Sequence, residues 1–135
     1  MNVTVLGAGN LGLTMAAHLR QAGERVTLWN RSPETIAQLL KEPVVHCQGA
    51  VEGDIVLDQV TTDLAAALAD PDLVLITTPA SAHRTLAVVL AEHMGRSSLI
   101  LLNPGRTFGA LEFNHYYRRA NPRWPQLIAE TQTTI

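Results

Sequence analysis

Cysteine is nearly missing from this sequence: Cys47 is the only one in 135 residues. That excludes an internal disulfide framework and a multi-thiolate metal site, and nothing beside Cys47 marks it as an activated nucleophile. Charge is sparse as well. Ten Lys plus Arg face 12 Asp plus Glu, for a net charge of −2, and no basic block could neutralise a run of phosphates, which argues against a nucleic-acid partner. No apolar run approaches the roughly 18 residues of a membrane span, and Met1 to Gly7 lacks the cationic start of a signal peptide. These shortages predict a cytoplasmic protein with no membrane partner. His18, His46, His83, His93 and His115 show no metal-ligand spacing, so no metal is assigned.

What is present fits one folded domain. Hydrophobic residues make up 47% and charged residues 16%, a globular composition over a length that suits a single unit, residues 1–135. Short β-branched or Leu-rich runs alternate with helical spacing, the pattern of βαβ units. Asn2 to Leu6 reads as a strand, and Leu11, Met15, Leu19 and Ala22 as the apolar face of a helix stopped by Gly23. Arg25 to Trp29 is a second strand. Ser32-Pro33-Glu34 offers a capping hydroxyl before a first-turn proline, with the helix running to about Lys41. Val44 to Asp58 reads as a small strand pair and Asp63 to Ala69 as a helix. Leu73 to Ile76 and Leu99 to Leu102 are unalternated strands, implying burial on both faces. Helices are expected from Ala80 to Met94 and Phe108 to Arg119, and a last strand over Gln126 to Ile135. The predicted class is α/β, a Rossmann-type doubly wound, mainly parallel sheet with helices on both faces.

The chemistry concentrates at Gly7-Ala8-Gly9-Asn10-Leu11-Gly12, a GxGxxG between the first strand and first helix. Gly7 permits the tight turn, Gly9 lets backbone approach a pyrophosphate, and Gly12 allows close helix–strand packing. The helix N-terminus favours the anion. The bland alternative is a glycine-rich turn without a ligand. An NAD site usually ends its second strand on Asp or Glu, which accepts from the ribose hydroxyls. Here that place holds Asn30-Arg31-Ser32, with a guanidinium and a hydroxyl to bind a 2′-phosphate and no carboxylate among them to repel it. NADP(H) is therefore favoured over NAD(H), although Arg31 could be a solvated surface residue and Asn30 could serve NAD. Thr77-Thr78-Pro79-Ala80 follows one buried strand and Asn103-Pro104-Gly105 the next, so both emerge at the carboxyl edge of the sheet. Thr78 and Pro79 are expected beside the nicotinamide half, and Asn103 farther out. His83 is near enough to touch a ligand, but a helix-cap or surface role is the simpler reading. Tyr116-Tyr117-Arg118-Arg119 reads as a helix end whose cations favour the dipole.

With these segments placed, the chain resembles the amino-terminal domain of the octopine/opine dehydrogenase family. The likeness rests on Gly7 to Gly12, Pro79-Ala80-Ser81-Ala82-His83, Asn103-Pro104-Gly105-Arg106-Thr107 with Gly109-Ala110-Leu111-Glu112, and Glu130-Thr131-Gln132-Thr133. The resemblance implies reductive condensation of an amino acid with a 2-oxo acid, using hydride from NAD(P)H. It also implies that the proton-transferring residues belong to a second, largely helical domain absent from these residues. No catalytic residue is assigned, and this chain alone is expected to be inactive. Phe108 stands where the resemblance implies a small residue. Two other readings stay open: a stand-alone dinucleotide-binding or redox-sensing module, and the cofactor domain of a glycerol-3-phosphate dehydrogenase or ketopantoate reductase relative. A homo-oligomer or a partner chain is compatible with each.

Overall fold

Most of the apolar runs of the sequence lie side by side and in one direction, as strands of a single sheet. In the computed structural model, which describes residues 1–135, the strands are β1 (Asn2–Leu6), β2 (Arg25–Trp29), β3 (Val44–Cys47), β4 (Gly53–Val56), β5 (Gln59–Thr61), β6 (Leu73–Ile76), β7 (Leu99–Leu102) and β8 (Leu127–Glu130). The helices are α1 (Asn10–Gln21), α2 (Ala37–Lys41), α3 (Leu64–Ala67), α4 (His83–His93) and α5 (Gly109–Ala120). Six strands form one sheet in the order β5-β2-β1-β6-β7-β8, and every pairing in it is parallel. That is the doubly wound order, with its switch point between β1 and β6. The expected small strand pair is β3 and β4, an antiparallel hairpin packed against α1. No helix is long and apolar enough to cross a membrane.

Two apolar cores sit on opposite faces of the sheet. Leu6, Val74, Ile76, Ile100 and Leu102 meet Leu86, Leu90, Phe113 and Tyr117 on one face. Val3, Val5, Val26, Leu28 and Leu75 meet Ala16, Ala17 and Ile36 on the other. Each fully buried Val, Leu or Ile contributes about 2 kcal/mol. Helices as short as α2 and α3 have no comparable stability of their own, so packing on the sheet holds them.

Several local expectations change. The buried face of α1 is Gly12, Ala16 and Ala17; Leu11, Met15 and Leu19 are half-buried and Ala22 is exposed. The helix lies so close to the sheet that only small side chains fit beneath it. Gly23 does stop α1: with φ +95° it lets its own N–H reach the Arg20 carbonyl and the Glu24 N–H reach that of Leu19, which closes the last turn. Ser32 does not cap α2. Its hydroxyl donates to the Glu34 carboxylate at 2.7 Å, residues 33–36 form turns, and α2 starts only at Ala37. β5 was not expected at all. β7 buries Ile100 and Leu102, while Leu99 and Leu101 are half-covered, so the doubly buried pattern holds for β6 more fully than for β7. β8 ends at Glu130 rather than continuing to Ile135.

Candidate dinucleotide site

The glycine turn sits at the carboxyl end of β1, at the switch point. Gly7 has φ +110°, a conformation that favours glycine, and its N–H donates to the Trp29 carbonyl at 2.9 Å. A Cβ on Gly12 would stand 1.8 Å from the Gly7 carbonyl oxygen, so the third glycine is demanded by packing within the protein. Gly9 is different. It caps α1 in extended conformation, and a Cβ there would meet nothing within 4 Å. Protein packing therefore leaves open the space over Gly9 at the helix N-terminus, where a pyrophosphate would approach bare backbone. Asn10 is exposed and Leu11 half-buried at the same turn.

Two side chains pin this turn. Asn30 Oδ1 accepts from the Ala8 N–H at 3.0 Å, and Asn30 Nδ2 donates to the Ser32 carbonyl at 3.1 Å. The Asn30 amide thus ties the end of β2 to the glycine loop. Thr77 does the same from β6: its hydroxyl donates to the Leu6 and Gly7 carbonyls at 3.0 and 3.2 Å. Sequence reasoning placed Thr77 in the segment at the carboxyl edge but gave it no role of its own, although its hydroxyl immediately after a buried strand was the available signal. Arg31 is exposed and makes no hydrogen bond or ion pair in the protein. Ser32 is committed to Glu34, whose carboxylate pKa is lowered chiefly by that bond. A carboxylate therefore does stand beside Ser32, two residues beyond the Asn30-Arg31-Ser32 stretch that itself holds none.

Thr77, Thr78, Pro79, Ala80, Pro104 and Arg106 line a cavity of about 420 Å³ at the same sheet edge. A second hollow, near Asn2, Arg25 and Asp70, lies at the amino edge, away from the switch point. Thr78 and Pro79 thus lie where ligands bind in open α/β sheets. Arg106 joins them from the loop after β7, with φ +60° and an exposed side chain; the sequence reading had given it no role of its own. Asn103 is fully buried, its Oδ1 accepting from the Thr131 hydroxyl and the Ile135 N–H at 3.2 and 3.1 Å. Its side chain faces the end of the chain rather than the cavity. Phe108, at φ +63° and 69% exposed, is outside the cavity lining, so its bulk does not fill the crevice.

The blocks after β7 hold one another. Gly105 and Arg106 N–H groups donate to the Thr131 carbonyl at 3.1 and 3.2 Å, and the Glu130 carboxylate accepts from the Ala110 N–H at the start of α5. Glycine is required at 105 because a Cβ would lie 2.4 Å from that of Glu130. His83 is buried, with 3% exposure, which corrects the surface reading. Tyr117 is also buried and hydrogen-bonds Gln126, while Arg118 and Arg119 end α5 as expected.

Comparison with known proteins agrees with this architecture. The chain is 36% identical to the opine dehydrogenase of Arthrobacter sp. (strain 1C) over 97% of its own length and 36% of that protein. It is 34% identical to a glycerol-3-phosphate dehydrogenase [NAD(P)+] of Enterococcus faecalis over 73% of the chain and 29% of that protein. The chain thus spans about a third of the length of these relatives. Among solved structures, octopine dehydrogenase in complex with NADH and agmatine matches with TM-score 0.70 and 20% identity, covering 87% of this chain and 32% of that one. Glycerol-3-phosphate dehydrogenase from Coxiella burnetii matches with TM-score 0.70 and 19% identity, covering 94% and 39%; both show the shared fold. The opine dehydrogenase resemblance therefore holds, and its alignment reaches both the Asn103 to Glu112 block and Glu130. The family model described as Ketopantoate reductase PanE/ApbA matches residues 3–103, and the chain belongs to that family.

Proposed function

We propose that this chain binds NADP(H) in preference to NAD(H) and serves as the cofactor domain of an opine-dehydrogenase-like oxidoreductase. The observation that carries the reading is the open approach to Gly9, set at the sheet's switch point between a Gly7 of positive φ and a Gly12 wedged against Gly7. Gly7, Ala8, Gly9, Asn10, Leu11 and Gly12 would hold the pyrophosphate, Arg31 the 2′-phosphate, and Thr78 and Pro79 the nicotinamide side. Asn30 contributes by fixing the glycine loop through both ends of its amide, and Asn103 by holding Thr131 and Ile135 through its Oδ1, while its buried Nδ2 has no partner in the protein. The exposed, unengaged Arg31 supports NADP(H), because a guanidinium pairs well with a phosphate. A bound nicotinamide would supply the hydride that reduces the imine of an amino acid and a 2-oxo acid to a secondary amine.

Arg106 at the cavity mouth favours a substrate carrying a carboxylate. The lining offers no carboxylate or imidazole for proton transfer, which supports assigning that step to a second domain or partner chain. A cytoplasmic location accords with the single unpaired Cys47. Following NADPH oxidation with pyruvate and a panel of amino acids, by this chain alone and by the chain joined to a helical second domain, tests the division of labour. Turnover only in the longer protein is expected; turnover by the 135-residue chain would overturn it.

A further inference from the structure

The loop after β7 takes its shape from the end of β8. Between Gly105 and Gly109, positive φ falls on Arg106 and Phe108, at +60° and +63°, and on neither glycine. Side chains rarely adopt that conformation, and the strain persists only where the surroundings over-determine it. Here the surroundings are hydrogen bonds to a single residue. The consecutive N–H groups of Gly105 and Arg106 both donate to the Thr131 carbonyl, at 3.1 and 3.2 Å.

Thr131 is itself clamped. Its N–H donates to the Leu102 carbonyl at 3.0 Å, and its hydroxyl donates to Asn103 Oδ1 at 3.2 Å. The Ile135 N–H reaches the same Oδ1 at 3.1 Å. A backbone N–H can only donate, so it fixes which end of the amide faces Thr131. Asn103 is fully buried, where water does not compete for these bonds. An aliphatic side chain would fill the space without leaving Nδ2 unpartnered, so packing alone does not account for the amide. Its acceptor oxygen does.

What the clasp holds is Arg106, which lines the cavity with Thr77, Thr78, Pro79, Ala80 and Pro104 and has an exposed side chain. A guanidinium recognises a carboxylate through two parallel hydrogen bonds, which depend on how the fork is presented.

We infer that Asn103 is a positioning residue: through Thr131 it fixes the backbone of Gly105 and Arg106, and so presents the Arg106 guanidinium to a carboxylate in the cavity. This rests on the reading of Arg106 given above. The adenosine end at Arg31 lies beyond the reach of the clasp.

The experiment titrates the full chain, saturated with NADPH, with pyruvate as the carboxylate probe. A separate titration uses adenosine 2′,5′-bisphosphate, which carries only the adenosine end. Asn103→Leu is expected to weaken pyruvate about fivefold or more and to leave the bisphosphate within about twofold. Asn103→Asp, which keeps an acceptor oxygen for Thr131 and Ile135, is expected to recover most of the loss. Equal weakening of both probes in a variant folded by circular dichroism, or no weakening of pyruvate, would overturn the inference. Where Asn103→Leu does not fold, hydrogen exchange in the wild-type chain decides. There the Gly105 and Arg106 amides should exchange about tenfold or more slower than the Thr107 amide of the same loop, and equal rates would overturn the clasp. A wild-type chain that binds NADPH and leaves pyruvate unbound would instead overturn the reading of Arg106, in the same titration and before any variant is compared.

Discussion

The carboxylate of Glu130 accepts a hydrogen bond from the backbone N–H of Ala110 at 2.5 Å. This contact joins the end of β8 to the start of α5 across 20 residues of chain. No side chain at the Phe108 cap position does that work. A carboxylate at a helix N-terminus satisfies an orphan donor and complements the helix dipole. Glu130→Ala should therefore cost about 1 kcal/mol of unfolding free energy, with Glu130→Gln losing less. Urea unfolding followed by circular dichroism measures this; an unchanged midpoint in Glu130→Ala would show that the contact does not hold the two elements together.

The three glycines of the turn should separate stability from binding. Gly12→Ala drives a Cβ into the Gly7 carbonyl, and forced overpacking of this kind costs about 3 kcal/mol or more. Gly9→Ala meets no protein atom within 4 Å, so it should change stability by less than about 1 kcal/mol. It should nonetheless weaken dinucleotide binding at least about tenfold, because the methyl occupies the approach to the backbone. Thermal unfolding and a fluorescence titration, run on both variants, read the two effects separately.

Cofactor preference should respond to two charges of opposite sign. Arg31→Ala is expected to weaken NADPH about tenfold and to leave NADH nearly unchanged, since only NADPH carries the group a guanidinium would pair with. Glu34→Gln removes the carboxylate that occupies the Ser32 hydroxyl, so it should move preference further toward NADPH. The ratio of the two dissociation constants is the measurement, and a ratio unmoved by Arg31→Ala would remove the support for NADP(H).

Acid should loosen the region around His83. Burial lowers its folded pKa beneath the ordinary value of 6.5, so the folded protein favours the neutral ring while the unfolded chain takes up protons first as pH falls. The stability contribution is present above about pH 6.5 and declines as pH drops toward and through the folded value. Exposed His46 has the opposite sign: its hydrogen bond and charge interaction with Asp54 raise its pKa, giving stability at lower pH that is lost as pH rises through the raised value. Denaturant midpoints of wild type and His83→Asn across this range distinguish the two, because the acid-side decline attributable to His83 should shrink in the variant.

Much of this was legible in the residues. The strands β1, β2, β6 and β7 announce themselves because their apolar runs are buried by the fold that the alternation with helices requires. Gly7 and Gly12 were readable because their demands are local: a positive φ and a close approach within six residues of chain. What was not legible depends on distance. Gln59-Val60-Thr61 becomes a strand only by pairing with β2 at the sheet edge. Ser32 looked like a cap until Glu34 took its hydroxyl. The face of α1 shifted from Leu11, Met15 and Leu19 to small residues because the sheet approaches so closely. Burial of His83 and Asn103 follows from layers contributed by other segments. The motif around Asn103 and Gly105 was recognised by likeness, and its packing against Glu130 and Thr131 supplies the physical reason for its small residues.

The most direct test is a calorimetric titration of the wild-type chain with NADPH and with NADH. The account predicts saturable binding of one dinucleotide per chain, tighter for NADPH, with binding weakened by Gly9→Ala in a protein that remains folded. Absence of binding to either dinucleotide by the folded chain would contradict it.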